Sequence, residues 1–364
     1  MLNVEPTPRL LCADVCRTEE EQQTEKPTSV VFPAIQLKHY IFLHTMTTYA
    51  DYKHLLIHAP ERQWDADPDV LIDRTTSSAV PTFSLVMPIH NQETVIANVL
   101  SSVVLHTVGA YELCLILDGC TDSTKSNVLK WIDATQFPSA CVRLLVLENK
   151  QGIFETSCDN QGFVLARGKY IVEIQADMVI LTFGYNLLLA TPLEVYPDMI
   201  AVSGRCCHGL NTLTQSLSVG KIGTLVSHPH PATFDTDTVY LSHTVNRGPL
   251  VLRREMLHTL GYLDEEHYVL GDDEHDLFMR AWTTYQWRTG FVPVEVWSPL
   301  EWGSTRKEKS PEVRQYLESR QRKEKAGFMG IHRFICMLPA GELRQMTLSD
   351  KLAARGRLLS APSA

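Results

Sequence analysis

The sequence of 364 residues lacks most of the patterns that would fix a function at once. Its nine cysteines contain no C-x-x-C and no pairs at zinc spacing. Cys12 and Cys16 are four apart, with no nearby Cys/His pair to complete a metal site. Cys114 and Cys141 lie inside apolar runs, where a free thiol packs as a small hydrophobe. That usage suits a reducing compartment. No apolar run approaches the ~20 residues of a spanning helix. Met1 to Pro6 has neither the basic nor the apolar region of a secretory leader. The expectation is a soluble, cytoplasmic protein with at most peripheral contact at a membrane surface. Basic charge is in deficit, with Lys+Arg 33 against Asp+Glu 42 and a net charge of −9. That balance argues against a nucleic-acid partner. G-x-G-x-x-G, G-x-x-x-x-G-K-[ST] and G-x-S-x-G are all missing, which excludes a glycine-cradled dinucleotide, a P-loop nucleotide and a nucleophile elbow.

What is present is ordinary globular composition, 44% hydrophobic and 21% charged, enough to bury a core. Residues 1–80 show no sustained periodicity and read as an extension, disordered in part around Glu19 to Pro27. The acidic run Asp65 to Asp69 lacks the glycine and terminal glutamate of a calcium loop and reads as a linker. From residue 83 the pattern changes. Apolar runs at 83–87, 111–117, 141–147, 170–174 and 199–203 read as strands. Between them, Val95, Ile96, Val99, Leu100, Val103 and Val104 trace one helix face. Thr121 and Asp122 are placed to cap a helix with Val128, Leu129 and Ile132 inward, and Glu155 to Ala166 reads as a third helix. Strand and helix alternate every 27–30 residues, the pattern of an α/β parallel sheet with helices on both faces.

Ligands in such sheets bind beyond the carboxyl ends of the strands. The residues there are Pro88 to Glu93, Asp118 to Thr124, Glu148 to Gly152, and Asp177. All four positions are polar and rich in carboxylates and amides. That suits a nucleotide whose charge is handled by a metal ion.

The runs Ser84-Leu-Val-Met-Pro-Ile-His-Asn91 and Leu115-Ile-Leu-Asp-Gly-Cys-Thr-Asp-Ser-Thr124 resemble the opening of family 2 glycosyltransferases, S-V-V-I-P-x-Y-N and V-D-D-G-S-x-D-x-T. Asp159-Asn-Gln-Gly-Phe-Val-Leu-Ala-Arg-Gly-Lys-Tyr-Ile171 is similar to the family's R-N-x-G-x-x-x-A-x-G-x-Y-I, and Gln175-Ala-Asp177 stands in the place of its D-x-D. Arg247 to Glu255 and Gly271 to Arg280 resemble the acceptor-side strand and the E-D-x-D-L-x-x-R helix. Five motifs in order over 83–305 carry the resemblance.

The resemblance implies a Rossmann-like GT-A fold over 81–305, flanked by the extension 1–80 and a helical tail 306–364. It implies an inverting transferase that moves a sugar from a nucleoside diphosphate, UDP by preference, to an acceptor hydroxyl on a glycan, lipid-linked or protein substrate. Asp177 would hold Mg²⁺ or Mn²⁺; the family's first acid is Gln175 here. Asp118 would meet the base edge, with Pro88 and His90 lining the base pocket and Lys150 and Gly152 beside the nucleotide. Among Asp272, Asp273 and Glu274 lies the general base, Asp273 first and Glu274 next. Arg247 and Trp302 would line the sugar and acceptor cleft, and Gly303 to Arg306 would close over the diphosphate.

Plainer readings stand beside these. Asp118, Asp122 and Asp177 also suit turns and caps, and Lys150 suits solvent. Acids at 272–274 are favoured in a first helical turn by the dipole alone. Asn160 reads as tying its helix to the sheet and Asp276 as anchoring Arg280. The tail 306–325 has eight Lys/Arg against four Glu and reads as a solvated helix or as a contact with anionic lipid. Two other functions remain: a nucleotide-sugar-binding protein without catalysis, allowed by Gln175 and the atypical acidic cluster, and a nucleotidyltransferase, disfavoured because 88–93 has no glycine- and arginine-rich loop.

Overall fold

The central strands are apolar almost throughout and bury both faces of one sheet. The computed structural model describes residues 67–205, 225–226, 237–303, 311, 314–315 and 342–360. The stretch 1–66, the loop Ser304 to Arg306 and nearly all of the basic run to Lys325 lie outside the described residues.

The strands are β1 (Asp69–Thr75), β2 (Phe83–Ile89), β3 (Tyr111–Asp118), β4 (Cys141–Asn149), β5 (Tyr170–Glu173), β6 (Val179–Ile180), β7 (Met199–Ser203), β8 (Leu225–Val226), β9 (Thr238–Ser242), β10 (Leu250–Arg253), β11 (Arg288–Phe291), β12 (Val296–Trp297) and β13 (Glu342–Gln345). The helices are α1 (Ile96–His106), α2 (Thr124–Ala134), α3 (Glu155–Leu165), α4 (Tyr185–Val195), α5 (Arg254–Thr259), α6 (Asp273–Tyr285) and α7 (Leu348–Leu359). Ten strands form one sheet in the order β1-β4-β3-β2-β5-β10-β7-β11-β9-β13. β4, β3, β2, β5, β7, β11 and β13 share one direction, while β1, β10 and β9 run against it. The sheet is mostly parallel, as the alternating pattern implies. β6, β12 and β8 form a small antiparallel sheet.

Successive side chains of a strand point to opposite faces. Phe83, Leu85, Met87 and Ile89 of β2 and Tyr111, Leu113, Leu115 and Leu117 of β3 share one core with α1, α2 and α4. Val86, Cys114 and Ile116 face a second core with Phe163 of α3 and Leu277 and Phe278 of α6. A sheet covered on both faces needs near-continuous apolar strands, and that is why the runs were readable. α6 buries Leu277, Phe278 and Ala281, while Tyr285 at its end is exposed and stacks on Trp287 with ring centroids 4.3 Å apart.

Two segments assigned by sequence to the flanks take part in the sheet. β1 pairs with β4, and a buried carboxylate fixes it there. Glu112, fully buried in β3, accepts from Ser84 Oγ at 2.6 Å and from Arg143 Nη1 at 3.0 Å. Arg143 then reaches Asp73 of β1 through Nε and Nη2, at 2.8 and 3.0 Å. A guanidinium matches two carboxylates in this way because its fork is planar and rigid. At the far edge β13 pairs with β9, and α7 returns to α4. Thr347 caps α7 by accepting from Asp350 N at 3.1 Å. Glu194 of α4 holds the helix by accepting from Arg357 Nε at 2.8 Å, while also pairing with Lys169 and Tyr170.

α3 approaches the sheet closely enough that one position admits no side chain. A Cβ on Gly162 would lie 2.3 Å from Val86 Cγ1 and 3.1 Å from Ile116 Cδ1. Gly162→Ala is therefore expected to destabilise the fold by about 1–3 kcal/mol, as overpacking does. Urea unfolding checks this, and an unchanged midpoint would show that α3 has room to move. Burial alone would raise the Glu194 pKa, but its bonds from Lys169, Arg357 and Tyr170 hold it down at about 2. Its contribution is present in full above its unfolded value of 4.5 and is lost as pH falls through about 2. The Arg357→Met variant should accordingly show a smaller loss of melting temperature than wild type between those pH values.

Candidate active site

The loops after β2, β3 and β4 converge because two glycines let backbones touch. Gly119 has φ +52°, and a Cβ there would lie 2.4 Å from Gly152 N. Its own N–H donates to Asn149 O at 2.8 Å. The turn after β3 is thereby laid against the turn after β4. Asp118, at the end of β3, accepts from Ile153 N at 2.7 Å and Phe154 N at 3.0 Å, one on each oxygen. Burial raises its pKa, while those two N–H groups and His90 oppose the rise. Phe154 adopts φ 70° and ψ 169°, a backbone region kept almost wholly by glycine. The Asp118 bond to its N–H holds that conformation in place.

His90 is exposed and its Nδ1 lies 2.6 Å from the Asp118 carbonyl, so Nδ1 carries the proton. Pro88 is half-buried at the end of β2. Asn91 Oδ1 accepts from Thr121 N at 2.9 Å, and Asp122 accepts from Thr124 N at 2.9 Å and Glu93 N at 3.3 Å. Asp122 is thus occupied as a local cap joining the first two loops. Gln92 Nε2 donates to the Trp302 carbonyl at 2.9 Å, which brings the 3₁₀ turn Leu300–Trp302 to the same strand ends. Trp302 is half-buried there. Lys150 points elsewhere: its side chain is exposed and pairs with Asp69 at 3.0 Å. Asp177 is buried just after β5, and its carbonyl accepts from Ser298 Oγ at 2.8 Å.

The densest chemistry lies where α3, β5 and α6 meet. Arg247 is 5% exposed. Its guanidinium pairs with Asp159 through Nη1 and with Asp273 through Nη2. Nη1 also lies 3.3 Å from Glu155 Oε1, and Nε lies 3.6 Å from Glu274 Oε2. Thr156 Oγ1 donates to Asp273 Oδ2 at 2.6 Å, and Glu274 N donates to Asp273 Oδ1 at 2.9 Å. Burial would raise the Asp273 pKa, but Arg247 and these hydrogen bonds bring it below the usual value. Glu274 shows the opposite result: burial, reinforced by the Asp273 charge, lifts it well above the usual range against the pull of Arg247. Its Oε2 has no hydrogen-bond partner. Asp272 has φ +60° at the start of α6 and is half-buried, with a pKa raised by burial and by Asp273. Asp276 pairs with Arg280 at 2.8 Å, and Asn160 Nδ2 donates to Leu263 O at 2.9 Å and Glu265 Oε1 at 2.8 Å. Asn160 therefore ties α3 to the segment before α6.

Sequence reasoning missed Glu155, Asp159 and Glu173. Two signals were there. Asp159 stands where the resembled motif carries arginine, and Arg247 now supplies that positive charge from another element. Glu173 is the one acid in an otherwise apolar strand and is 1% exposed.

Residues 84–205 match the sequence model of glycosyl transferase family 2. Over this stretch the chain is similar to glycosyl transferase family 2. The match runs from β2 to just past β7, a third of the chain. No curated protein matches the sequence. Among solved structures, the chain is similar to S. aureus TarS 1-349, at 16% identity and TM-score 0.41, over 59% of each chain. It is similar to the mannosyltransferase PcManGT from Pyrobaculum calidifontis, solved with GDP-Man and Mn²⁺, at 17% identity and TM-score 0.40, covering 64% of this chain and 58% of that one. GalNAc-T7, solved with UDP, GalNAc and Mn²⁺, is similar at 16% identity and TM-score 0.45, over 60% and 44%. The chain thus spans about three-fifths of TarS 1-349. Among the described residues, no helix is long and apolar enough to cross a membrane.

Removing one partner of a buried ion pair leaves an uncompensated charge and costs about 3–5 kcal/mol. Arg247→Met should lower the unfolding free energy by about that much, whereas Arg280→Met, at a more exposed pair, should cost less than half of it. Urea denaturation of the two variants checks the order, and equal losses would remove Arg247 from its central place.

Proposed function

We propose that this chain is an inverting glycosyltransferase that transfers a sugar from a nucleoside diphosphate, UDP by preference, to an acceptor hydroxyl, with Glu274 as general base. One observation carries the choice of base: Glu274 Oε2 is buried and without a hydrogen-bond partner, beside an Asp273 whose two oxygens are fully engaged. A carboxylate with a raised pKa is the stronger base once ionised. Asp273 instead acts as a positioning residue that fixes the first turn of α6.

In this reading Glu274 takes the proton of the acceptor hydroxyl as its oxygen attacks the anomeric carbon. The bond from that carbon to the donor phosphate oxygen breaks, and its electron pair leaves with the diphosphate. Each Asp118 oxygen accepts one backbone N–H and keeps a further lone pair for the base edge. His90 and Pro88 flank that pocket. Gly152 brings its backbone beside Asp118, with a Cβ position 3.8 Å from Asp118 Oδ2, an ordinary van der Waals contact. Trp302 offers a ring to the sugar. Lys150 would have to leave Asp69 to meet a phosphate.

The family's divalent cation suits the oxygen donors after β5: the Asp177 carboxylate and Gln175 Oε1, which is buried without a partner. Hard oxygen ligands of this kind fit Mg²⁺ or Mn²⁺. When bound there, the ion would stabilise the departing diphosphate as a Lewis acid.

The test is turnover of a panel of UDP- and GDP-sugars with Mn²⁺, read as released nucleoside diphosphate. Glu274→Gln is expected to lower kcat by about 10²–10⁴-fold with an unchanged melting temperature. Retained activity in that variant would reject Glu274 as base. Nucleotide binding with no turnover of any donor would favour the catalysis-free binding protein instead.

A further inference from the structure

One guanidinium faces five carboxylates in the region of Arg247: Glu155, Asp159, Glu173, Asp273 and Glu274. Arg247 engages the two on α6 and one oxygen of Asp159, and it reaches Glu155 at 3.3 Å. Beyond its reach lies a second group of oxygens. Asp159 Oδ1 and both oxygens of Glu173 are buried and have no hydrogen-bond partner. The Gly248 N–H lies on the Glu173 side and lends partial positive charge without closing a hydrogen bond. Buried acceptors left in this state are costly, the more so when charged.

The geometry supplies a reason for them. Glu155, Asp159 and Glu173 each place one carboxylate oxygen within 4.8 Å of the other two. A point between three oxygens so spaced is at most about 2.8 Å from each, a few tenths of an ångström outside the ~2.3–2.6 Å of calcium–oxygen bonds. Side-chain rotation closes such a gap. Glu155 and Asp159 are one helical turn apart on α3, so they face the same way. Glu173 comes from β5, the strand beneath. Glu155 is 23% exposed in its side chain and gives the group an opening to solvent.

We propose that Glu155, Asp159 and Glu173 form an all-oxygen site for a divalent cation of calcium or manganese size, distinct from Asp177 and filled without nucleotide. The ion satisfies the oxygens that Arg247 leaves bare and pins the start of α3 to the end of β5. The inference does not rest on the transferase reading, because it concerns binding by the free chain.

The experiment is a titration of the full chain, free of nucleotide, with Mn²⁺ alone. Bound ion is read from the loss of the free-ion electron paramagnetic resonance signal, with Ca²⁺ as competitor. Wild type is expected to bind one Mn²⁺ per chain under these conditions. Asp177→Asn should retain that ion, while Glu173→Gln and Asp159→Asn should each weaken it by about tenfold or more. Circular dichroism checks that each variant is folded. Glu155→Gln, at the rim, replaces either buried variant that is not folded and should also weaken binding. Absence of nucleotide-independent binding in wild type overturns the proposal. So does binding that Asp177→Asn abolishes and Glu173→Gln spares. Sugar transfer by a wild-type chain that binds no ion in this titration would reject this site and leave the proposed function standing.

Discussion

The arrangement of the site depends on a single buried positive charge. Arg247 precedes β10 and reaches carboxylates on α3 and α6, two helices that pack on the same face of the sheet. At an effective dielectric of 20, a pair of unit charges 4 Å apart is worth about 4 kcal/mol, so one guanidinium weighs heavily against burial at every acid around it. Asp273 is drawn into the charged form. Glu274, one residue on, is farther from the guanidinium, its Oε2 3.6 Å from Arg247 Nε and without a hydrogen bond. Two adjacent acids shift in opposite directions because Arg247 outweighs burial at the nearer one and not at the other.

The fold could be read from the sequence to the extent that it is written in periodicity. Strands covered on both faces must be apolar throughout, and the starts of β2, β3, β4, β5 and β7 match the runs at 83, 111, 141, 170 and 199. β1 and β13 were not readable, because an edge strand faces solvent and carries charge. β1 reads Asp-Val-Leu-Ile-Asp-Arg-Thr and β13 only Glu-Leu-Arg-Gln. Their attachment comes from Arg143 and from pairing with β9, neither of which is local in sequence.

The site was legible where a residue's place follows from its strand. Asp118, His90 and Asp177 fall at strand ends because parallel strands end on one side. Arg247 was not, since its partners come from 88 residues before and 26 after. Glu173 was hidden for a different reason. Position alternation places it in the interior, and only the three-dimensional neighbours reveal that the interior there is ionic.

The strand order has a consequence for how the chain must be made. β7 touches the sheet only through β10 and β11, and β5 meets β7 only with β10 between them. β7 ends at Ser203, whereas β10 begins at Leu250. During synthesis the matched region 84–205 therefore leaves the ribosome with its last strand unable to dock. That strand waits for a segment made later, which also brings Arg247. A nascent chain halted before Arg247 would hold Glu155, Asp159 and Glu173 without that guanidinium and an open edge on β5.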